Sequence, residues 1–378
     1  MGSSWKVALA GALVAIGCGD NVAPPARSGS TDDGGSGTAD SGTASDGSGS
    51  TPDASCTPAE VFPEPMPTYL EFVADGSGSM TGVKWDGQVS AIQTVIRDIG
   101  TRTTLRAQVG KPADVVAGLM IFGDTGDTSP SARGPYPTSA DVPLQPVTNA
   151  SELAFARRLQ SATSDSSPIK AALTGGYATL ANYAPPGNVR ASGQRILVLI
   201  SDSAPIDGTP SEVVNLAKDS LAAATPIWTA PVGLGTGGVY AYGTFLSELA
   251  FAGGITELGC ADESTSAQCF HRLDSQGKTA ADVASIIVAM LRETVLPSDC
   301  ELVLPALVDA KGQVPESRME VTLVAGNGKE TVIPRDAFQG WGLPTFKRGK
   351  RLALTGTSCD QIRADARARV RVRSRCGG

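Results

Sequence analysis

Downstream of Thr68 the apolar residues follow two rhythms. Up to about Val295, short apolar runs of strand length alternate with longer stretches in which apolar positions recur every three or four residues, the pattern of strand-helix-strand units around a mostly parallel sheet. Tyr69 to Ala74, Val115 to Phe122, Arg195 to Ser201, Pro226 to Val232 and a short Ile255 to Leu258 read as strands. Trp85 to Ile99, Ser151 to Gln160, Pro168 to Tyr183, Pro210 to Ala224, Gly243 to Ala252 and Thr279 to Val295 read as helices. Leu197, Val198, Leu199 and Ile200 are apolar in succession, as in a central strand covered on both faces. The fold class is doubly wound α/β. After Cys300 the helical period disappears, and Met319 to Val324, Arg351 to Leu354 and Ala366 to Arg375 read as strands separated by turns such as Gly326-Asn327-Gly328, giving a small β-rich appendage.

Upstream the pattern is of another kind. Lys6 precedes an apolar run of eleven residues, Val7 to Gly17, short of the roughly 20 needed to span a bilayer, so it reads as the core of a signal peptide. The run ends in Ala15-Ile16-Gly17-Cys18, which resembles the lipobox of bacterial lipoproteins and implies that Cys18 carries the lipid. Gly19 rather than Asp follows it, which by resemblance to enteric sorting rules favours the outer membrane or cell surface. Ser28 to Ser50 contains only Gly, Ser, Thr, Asp and Ala and cannot bury apolar surface, so it reads as a tether. A linker of about 37 such residues has an r.m.s. span of roughly 33 Å. The expected organisation is a signal peptide over 1–17, lipidated cysteine and tether over 18–55, the α/β domain over 56–299 and the appendage over 300–378.

Charge narrows the partners. With 378 residues, 41% of them hydrophobic, the chain can build a sizeable core, and its net charge of −7 gives no general reason to bind nucleic acid. From Cys300 onward 14 Lys and Arg face 8 Asp and Glu, a net of +6 that leaves −13 for the rest. Arg367, Arg369, Arg371, Arg373 and Arg375 alternate with small or apolar residues and so share one strand face. Docking on the acidic domain, contact with anionic polysaccharide or lipid phosphate, and an edge strand blunted by charge all fit that face. Seven cysteines are present; setting Cys18 aside leaves Cys56, Cys260, Cys269, Cys300, Cys359 and Cys376, an even set suited to disulfides in an oxidising compartment. Cys260 and Cys269 lie nine positions apart in a polar stretch and would bridge locally.

The candidate chemistry begins where the first strand ends. Asp75-Gly76-Ser77-Gly78-Ser79 places a carboxylate and two hydroxyls at the carboxyl end of a doubly wound strand, where ligand crevices form, and an all-oxygen set suits a hard divalent cation. The D-x-S-x-S signature resembles the metal-ion-dependent adhesion site of von Willebrand factor type A domains. Ser167-Pro168-Ile169-Lys170-Ala171-Ala172-Leu173 is similar to that family's Thr-Pro-Ile-x-x-Ala-Leu loop, and Ile196 to Asp202 resembles its strand ending in a third-loop Asp. Ser203 stands where glycine usually follows. Leu246 to Gly254 is similar to the helix and Gly-Gly turn of many bacterial members, so the resemblance covers Thr68 to Val295. It implies that Asp75, Ser77, Ser79, Ser167 and Asp202 surround Mg2+, or Mn2+ or Ca2+, with an open coordination position for a carboxylate of a partner protein or glycan. It also implies that Cys56 lies near Cys300, leaving Cys359 to pair with Cys376; a Cys300 to Cys376 link stays open. The cysteine-bearing end of the chain resembles the tail of some bacterial surface A-domain lipoproteins.

Other signals are weaker. Gly233-Leu234-Gly235-Thr236-Gly237-Gly238 has the glycine spacing of a dinucleotide loop but follows a late strand, not the first. Gly76-Ser77-Gly78 lacks the glycine two positions before the serine that a nucleophile elbow needs, and the sole histidine, His271, reads as a loop or surface residue. Asp124 and Asp127 read as a solvated loop. The expectation is a non-enzymatic, membrane-anchored binding module; a scaffold with a metal-stabilised fold and, below it, a hydrolase are the alternatives.

Overall fold

The structure, a computed structural model, describes residues 59–123, 140–160, 167–187, 189, 193–235, 242–256, 269–309, 312–343, 345–346, 349–365 and 367–375. Cys18, the tether, Cys56, Asp124, Asp127, Cys260 and Cys376 therefore lie outside the described residues.

In chain order the first elements are β1 (Glu60–Val61), β2 (Glu64–Pro65), β3 (Thr68–Asp75), α1 (Val83–Gln108), β4 (Val115–Phe122), β5 (Val142–Pro146), α2 (Asn149–Arg158) and α3 (Ile169–Asn182). They are followed by β6 (Gln194–Ser201), α4 (Pro210–Ala222), β7 (Ile227–Gly235), α5 (Gly243–Gly253), β8 (His271–Asp274) and α6 (Ala280–Thr294). The central sheet runs β5-β4-β3-β6-β7-β8, the doubly wound order, with every pairing parallel except β4 with β5. All eight residues of β3 and of β4 are buried, because helices cover both faces. Ile92, Ile96 and Ile99 of α1, Phe155 of α2 and Ile287 and Leu291 of α6 pack on one face. Leu173 and Tyr177 of α3, Val213 of α4 and Phe245 and Leu249 of α5 pack on the other. Thr148, Thr209 and Thr279 start α2, α4 and α6 with capping boxes. The approach of α1 to α6 requires Gly87, since a Cβ there would stand 2.4 Å from a Val283 methyl.

Two strands depart from the sequence expectation. β5 carries Pro143 and Pro146 and was not anticipated; it lies at the sheet edge, where a strand tolerates proline. Of the expected strand Ile255 to Leu258, Ile255 and Thr256 are not in a strand, Gly254 making only an isolated bridge to Thr229 and capping α5 with φ of 78°, while Leu258 lies outside the described residues; among the described residues the sheet ends in the four-residue β8.

The remaining elements are β9 (Glu301–Val303), β10 (Val308–Asp309), β11 (Gly312–Gln313), β12 (Met319–Val324), β13 (Glu330–Ile333), β14 (Trp341–Gly342), β15 (Thr345–Phe346), β16 (Gly349–Lys350), β17 (Leu352–Leu354), α7 (Thr357–Ala364) and β18 (Arg369–Ser374). Two antiparallel four-stranded sheets, β1-β18-β12-β13 and β14-β17-β9-β2, enclose a core that includes Leu302, Val321, Leu323, Trp341, Leu352, Val370 and Val372. β1 and β2 pair with β18 and β9, so the segment just before β3 builds the β-rich part and the α/β layers are inserted into it.

Two further expectations are corrected. The arginine-bearing strand is interior, not an edge: β18 lies between β1 and β12, and its arginines meet glutamates of neighbouring strands. Arg371 forms a two-pronged pair with Glu330, Arg373 bonds Glu60 at 2.5 Å, Arg375 reaches Glu320 at 3.6 Å, and Arg369 lies 4.6 Å over the Phe62 ring. Cys300 is joined to Cys359, with Cα atoms 5.2 Å apart, which excludes both Cys56–Cys300 and Cys359–Cys376. The reason is α7, a helix the strand-like pattern concealed: β17 pairs with β9 just after Cys300, and the first turn of α7 brings Cys359 back over that pair. Cys269 is disulfide-bonded as well.

One polar side chain interrupts the core. Glu71, in the middle of β3, is fully buried with both carboxyl oxygens lacking a hydrogen-bond partner, in space left by Gly118, where a Cβ would come 2.1 Å from Oε2. Burial, with a smaller contribution from the Asp141 charge, holds its carboxyl well above its ordinary 4.5. A raised folded value means that the stabilisation is complete below 4.5 and is lost as pH rises through the folded value. Glu71→Gln, which mimics the protonated acid, is expected to match the wild type near pH 4 and to exceed it by about 1–3 kcal/mol at neutral pH. Urea unfolding across that range checks this; a difference independent of pH would refute it.

Candidate metal centre

β3 and β6 are parallel neighbours whose outgoing connections cover opposite faces, α1 one and α4 the other. The crevice beyond their carboxyl ends is therefore the topological switch point, where doubly wound sheets bind ligands. Asp75 is the last residue of β3, and Asp202 follows the last residue of β6.

Asp75 is fully buried and tightly oriented. Its Oδ1 accepts from the Ser77 N–H at 2.8 Å, and its Oδ2 from the Ser201 hydroxyl at 2.5 Å and the Ser203 hydroxyl at 3.2 Å. From α1 the buried Gln88 amide donates to the Asp75 carbonyl at 3.1 Å. Burial pushes the Asp75 carboxyl up to about 6, against the lowering effect of Ser201 and Ser77 and with an added push from the Asp202 charge.

The loop after β3 makes a 3-10 turn over Gly78–Met80, plugged below by the fully buried Met80, and turns into α1 at Gly82, whose φ of 74° suits glycine. The turn brings the Ser77 and Ser79 hydroxyls to 3.0 Å of each other, and Ser79 donates to Asp202 Oδ1 at 2.6 Å. Lys84, in the first turn of α1, donates to Asp202 Oδ2 at 2.5 Å and to the Ser79 carbonyl at 3.2 Å. Asp75, Ser77, Ser79 and Asp202 thus form one chain of hydrogen bonds, the first made by the Ser77 backbone N–H and the others by side-chain oxygens. Ser167 joins it through the backbone: its carbonyl accepts from Ile206, in the loop after Asp202, and among the described residues its hydroxyl has no bond to the other four.

Sequence reasoning missed Lys84, Ser201 and Asp207, and read Ser203 only as a replacement for glycine. Lys84 had a signal, since a cation in a helix's first turn opposes the dipole and calls for a nearby anion. Ser203 in place of glycine gives Asp75 another donor. Asp207 accepts from the Lys170 and Ala171 N–H groups at 3.1 and 2.7 Å, securing the start of α3 just after Ser167. His271 is corrected: it is buried on β8, and burial lowers its pKa. Gly233, near the end of β7, packs tightly against the Phe270 ring, which lies 2.2 Å from where a Cβ would stand, a packing reason for glycine there.

The donor set fits a hard divalent ion in type: every side-chain group is a hydroxyl or carboxylate oxygen, and the Asp202 carboxylate, 4% exposed, already draws a cationic group. Among the described residues no three His, Cys, Asp or Glu side chains converge, so any cation here would depend on serine hydroxyls.

The chain is similar to the pilus adhesin SpaC of Lactobacillus rhamnosus GG, with TM-score 0.44 and 11% identity over 82% of this chain and 38% of the adhesin. It is also similar to proximal thread matrix protein 1 of the mussel byssus, with TM-score 0.35 and 14% identity over 62% of this chain and 48% of that protein. An aerotolerance-related membrane protein of Bacteroides fragilis gives TM-score 0.35 and 14% identity, covering 60% of this chain and 100% of that structure. The chain thus spans well under half of the adhesin. No protein-family model matches, and comparison with curated proteins gives no match.

Removing the 2.5 Å donor to Asp75 leaves a buried carboxylate short of a partner. Ser201→Ala is expected to lower stability by about 1–3 kcal/mol in chelator-treated protein, and Ser203→Ala, at the longer bond, by less. Chemical unfolding of the two variants measures both, and the reverse ranking would contradict the assigned hydrogen bonds.

Proposed function

We propose that this site binds one divalent cation, Mg2+ or else Mn2+ or Ca2+, and through it a carboxylate of a partner protein or glycan, so that the chain serves as an adhesion-type binding module and not as an enzyme. The observation that carries this reading is the contact chain from Asp75 through Ser77 and Ser79 to Asp202 at the β3/β6 switch point. Ser77 and Ser79 would supply hydroxyl oxygens, Asp75 and Asp202 charge, and Ser167 a fifth oxygen from the neighbouring loop. A site with two carboxylates and otherwise neutral donors leaves a divalent ion electrophilic toward one more carboxylate, the chemistry of ligand capture. The serine hydroxyls are bonded to one another and to a carboxylate that Lys84 also holds, an arrangement for fixing oxygen atoms and not for activating a nucleophile.

On this reading the β-rich part is structural, holding both ends of the inserted α/β layers. The lipid at Cys18 and the tether after it would carry the domain clear of an outer-membrane or cell-surface headgroup layer. No described helix is long and apolar enough to cross a membrane.

Isothermal titration of the full chain with Mg2+ and Mn2+ tests the site. The wild type should take up one ion, and Asp75→Ala should weaken uptake by at least about tenfold, the effect of about 1.4 kcal/mol. Undiminished uptake by Asp75→Ala would place the ion elsewhere, and turnover on an ester and peptide panel would restore the hydrolase alternative.

A further inference from the structure

We propose that Lys84 is a tethered counter-ion that competes with the divalent ion for Asp202 and so sets how readily the site loads. The inference rests on the metal-site reading above and assigns its control to a residue outside the five expected oxygen ligands.

Both oxygens of the Asp202 carboxylate are engaged, Oδ1 by the Ser79 hydroxyl at 2.6 Å and Oδ2 by the Lys84 ammonium at 2.5 Å. The same ammonium reaches the backbone carbonyl of Ser79 at 3.2 Å. It therefore spans the two loops that a bound cation would join, touching a group from each. The Asp202 side chain is 4% exposed, and a carboxylate so buried needs a counter-charge. The positive end of the α1 dipole disfavours a lysine at this position, and the Asp202 carboxylate, the nearer of its two partners and the charged one, offsets that cost.

A divalent ion bound to Asp202 would meet a cation already seated on Oδ2, and the two repel. The lysine can yield, since its side chain is 18% exposed and an ammonium on a flexible four-carbon stem moves into water more readily than a guanidinium fork leaves its partner. Loading then exchanges one cation for another, and when the ion departs the lysine closes the site again without leaving Asp202 unpaired.

The experiment uses the full chain. Wild type, Lys84→Met and Lys84→Gln are titrated with Mn2+, with free ion followed by electron paramagnetic resonance, and each is melted in chelator and in saturating Mn2+. The neutral variants should bind Mn2+ about tenfold more tightly, as when the closed form holds about nine-tenths of the population, and should melt lower in chelator with the loss restored by Mn2+. A second readout needs no substitution. Acetylation of Lys84 by a water-soluble ester, followed by mass spectrometry, should accelerate at least about threefold when Mg2+ saturates the wild type, because the ammonium is released from its pair. Equal or weaker Mn2+ affinity in the folded neutral variants, or a Lys84 acetylation rate unchanged by Mg2+, overturns the role of Lys84 while leaving the metal site intact. Absence of Mn2+ binding in wild type and variants alike overturns the site reading and this inference with it.

Discussion

The parallel pairing of β3 with β6 is the constraint on which the rest of the site depends. Register matches Ala74 with Ile200, which leaves Asp75 level with Ser201 and lets the Ser201 hydroxyl reach the Asp75 carboxylate at 2.5 Å. That bond, with those from Ser77 and Ser203, orients a fully buried carboxylate whose burial alone would favour the neutral acid. Because the two strands send their helices to opposite faces, the loops carrying Ser77, Ser79 and Asp202 meet beyond their ends. A one-residue slip in this pairing would turn Asp75 to the other face and dissolve the site.

The β-rich part depends on a second pairing, of the short strands before β3 with strands near the end of the chain. β1 against β18 and β2 against β9 anchor both ends of the inserted α/β layers in one pair of sheets. Charge reinforces this arrangement, since Glu60 of β1 and Glu330 of β13 take the arginines that β18 presents. Arg102 of α1 bonds both Asp114, at the start of β4, and Asp299, just before β9, and Arg351 bonds Gln194 of β6 and Glu301 of β9, so each ties the two parts together. Of the glutamates that take the β18 arginines, only Glu60 lies before Cys300, so these pairs order the sheet while cancelling little of the basic excess that follows Cys300.

Sequence reasoning reached the α/β layers because strands buried on both faces, such as Leu197 to Ile200, leave long apolar runs. It located Asp75 and Asp202 because each ends such a run. It failed where burial was short or one-sided. β5 is broken by two prolines, β8 has four residues, and α7 follows strands with a single turn of apolar pattern too brief to distinguish from a loop. The cysteine pairing that the resemblance implied failed because nothing in the sequence showed that α7 brings Cys359 back over Cys300. Reading β18 as an edge failed for a related reason: alternating arginines look solvent-facing unless the glutamates opposite them, in strands far away in sequence, are known.

Lys84 shows the same limit at the level of chemistry. A motif search keeps residues that donate oxygen and passes over a lysine nine positions after Asp75, yet that lysine supplies the positive charge that the buried Asp202 needs. On the proposed reading the oxygen groups would define what the site can hold, and the charge balance around Asp202 would govern whether it stands open, because a carboxylate already paired must give up one cation before it accepts another, and the side chain that would yield is carried by the first turn of α1.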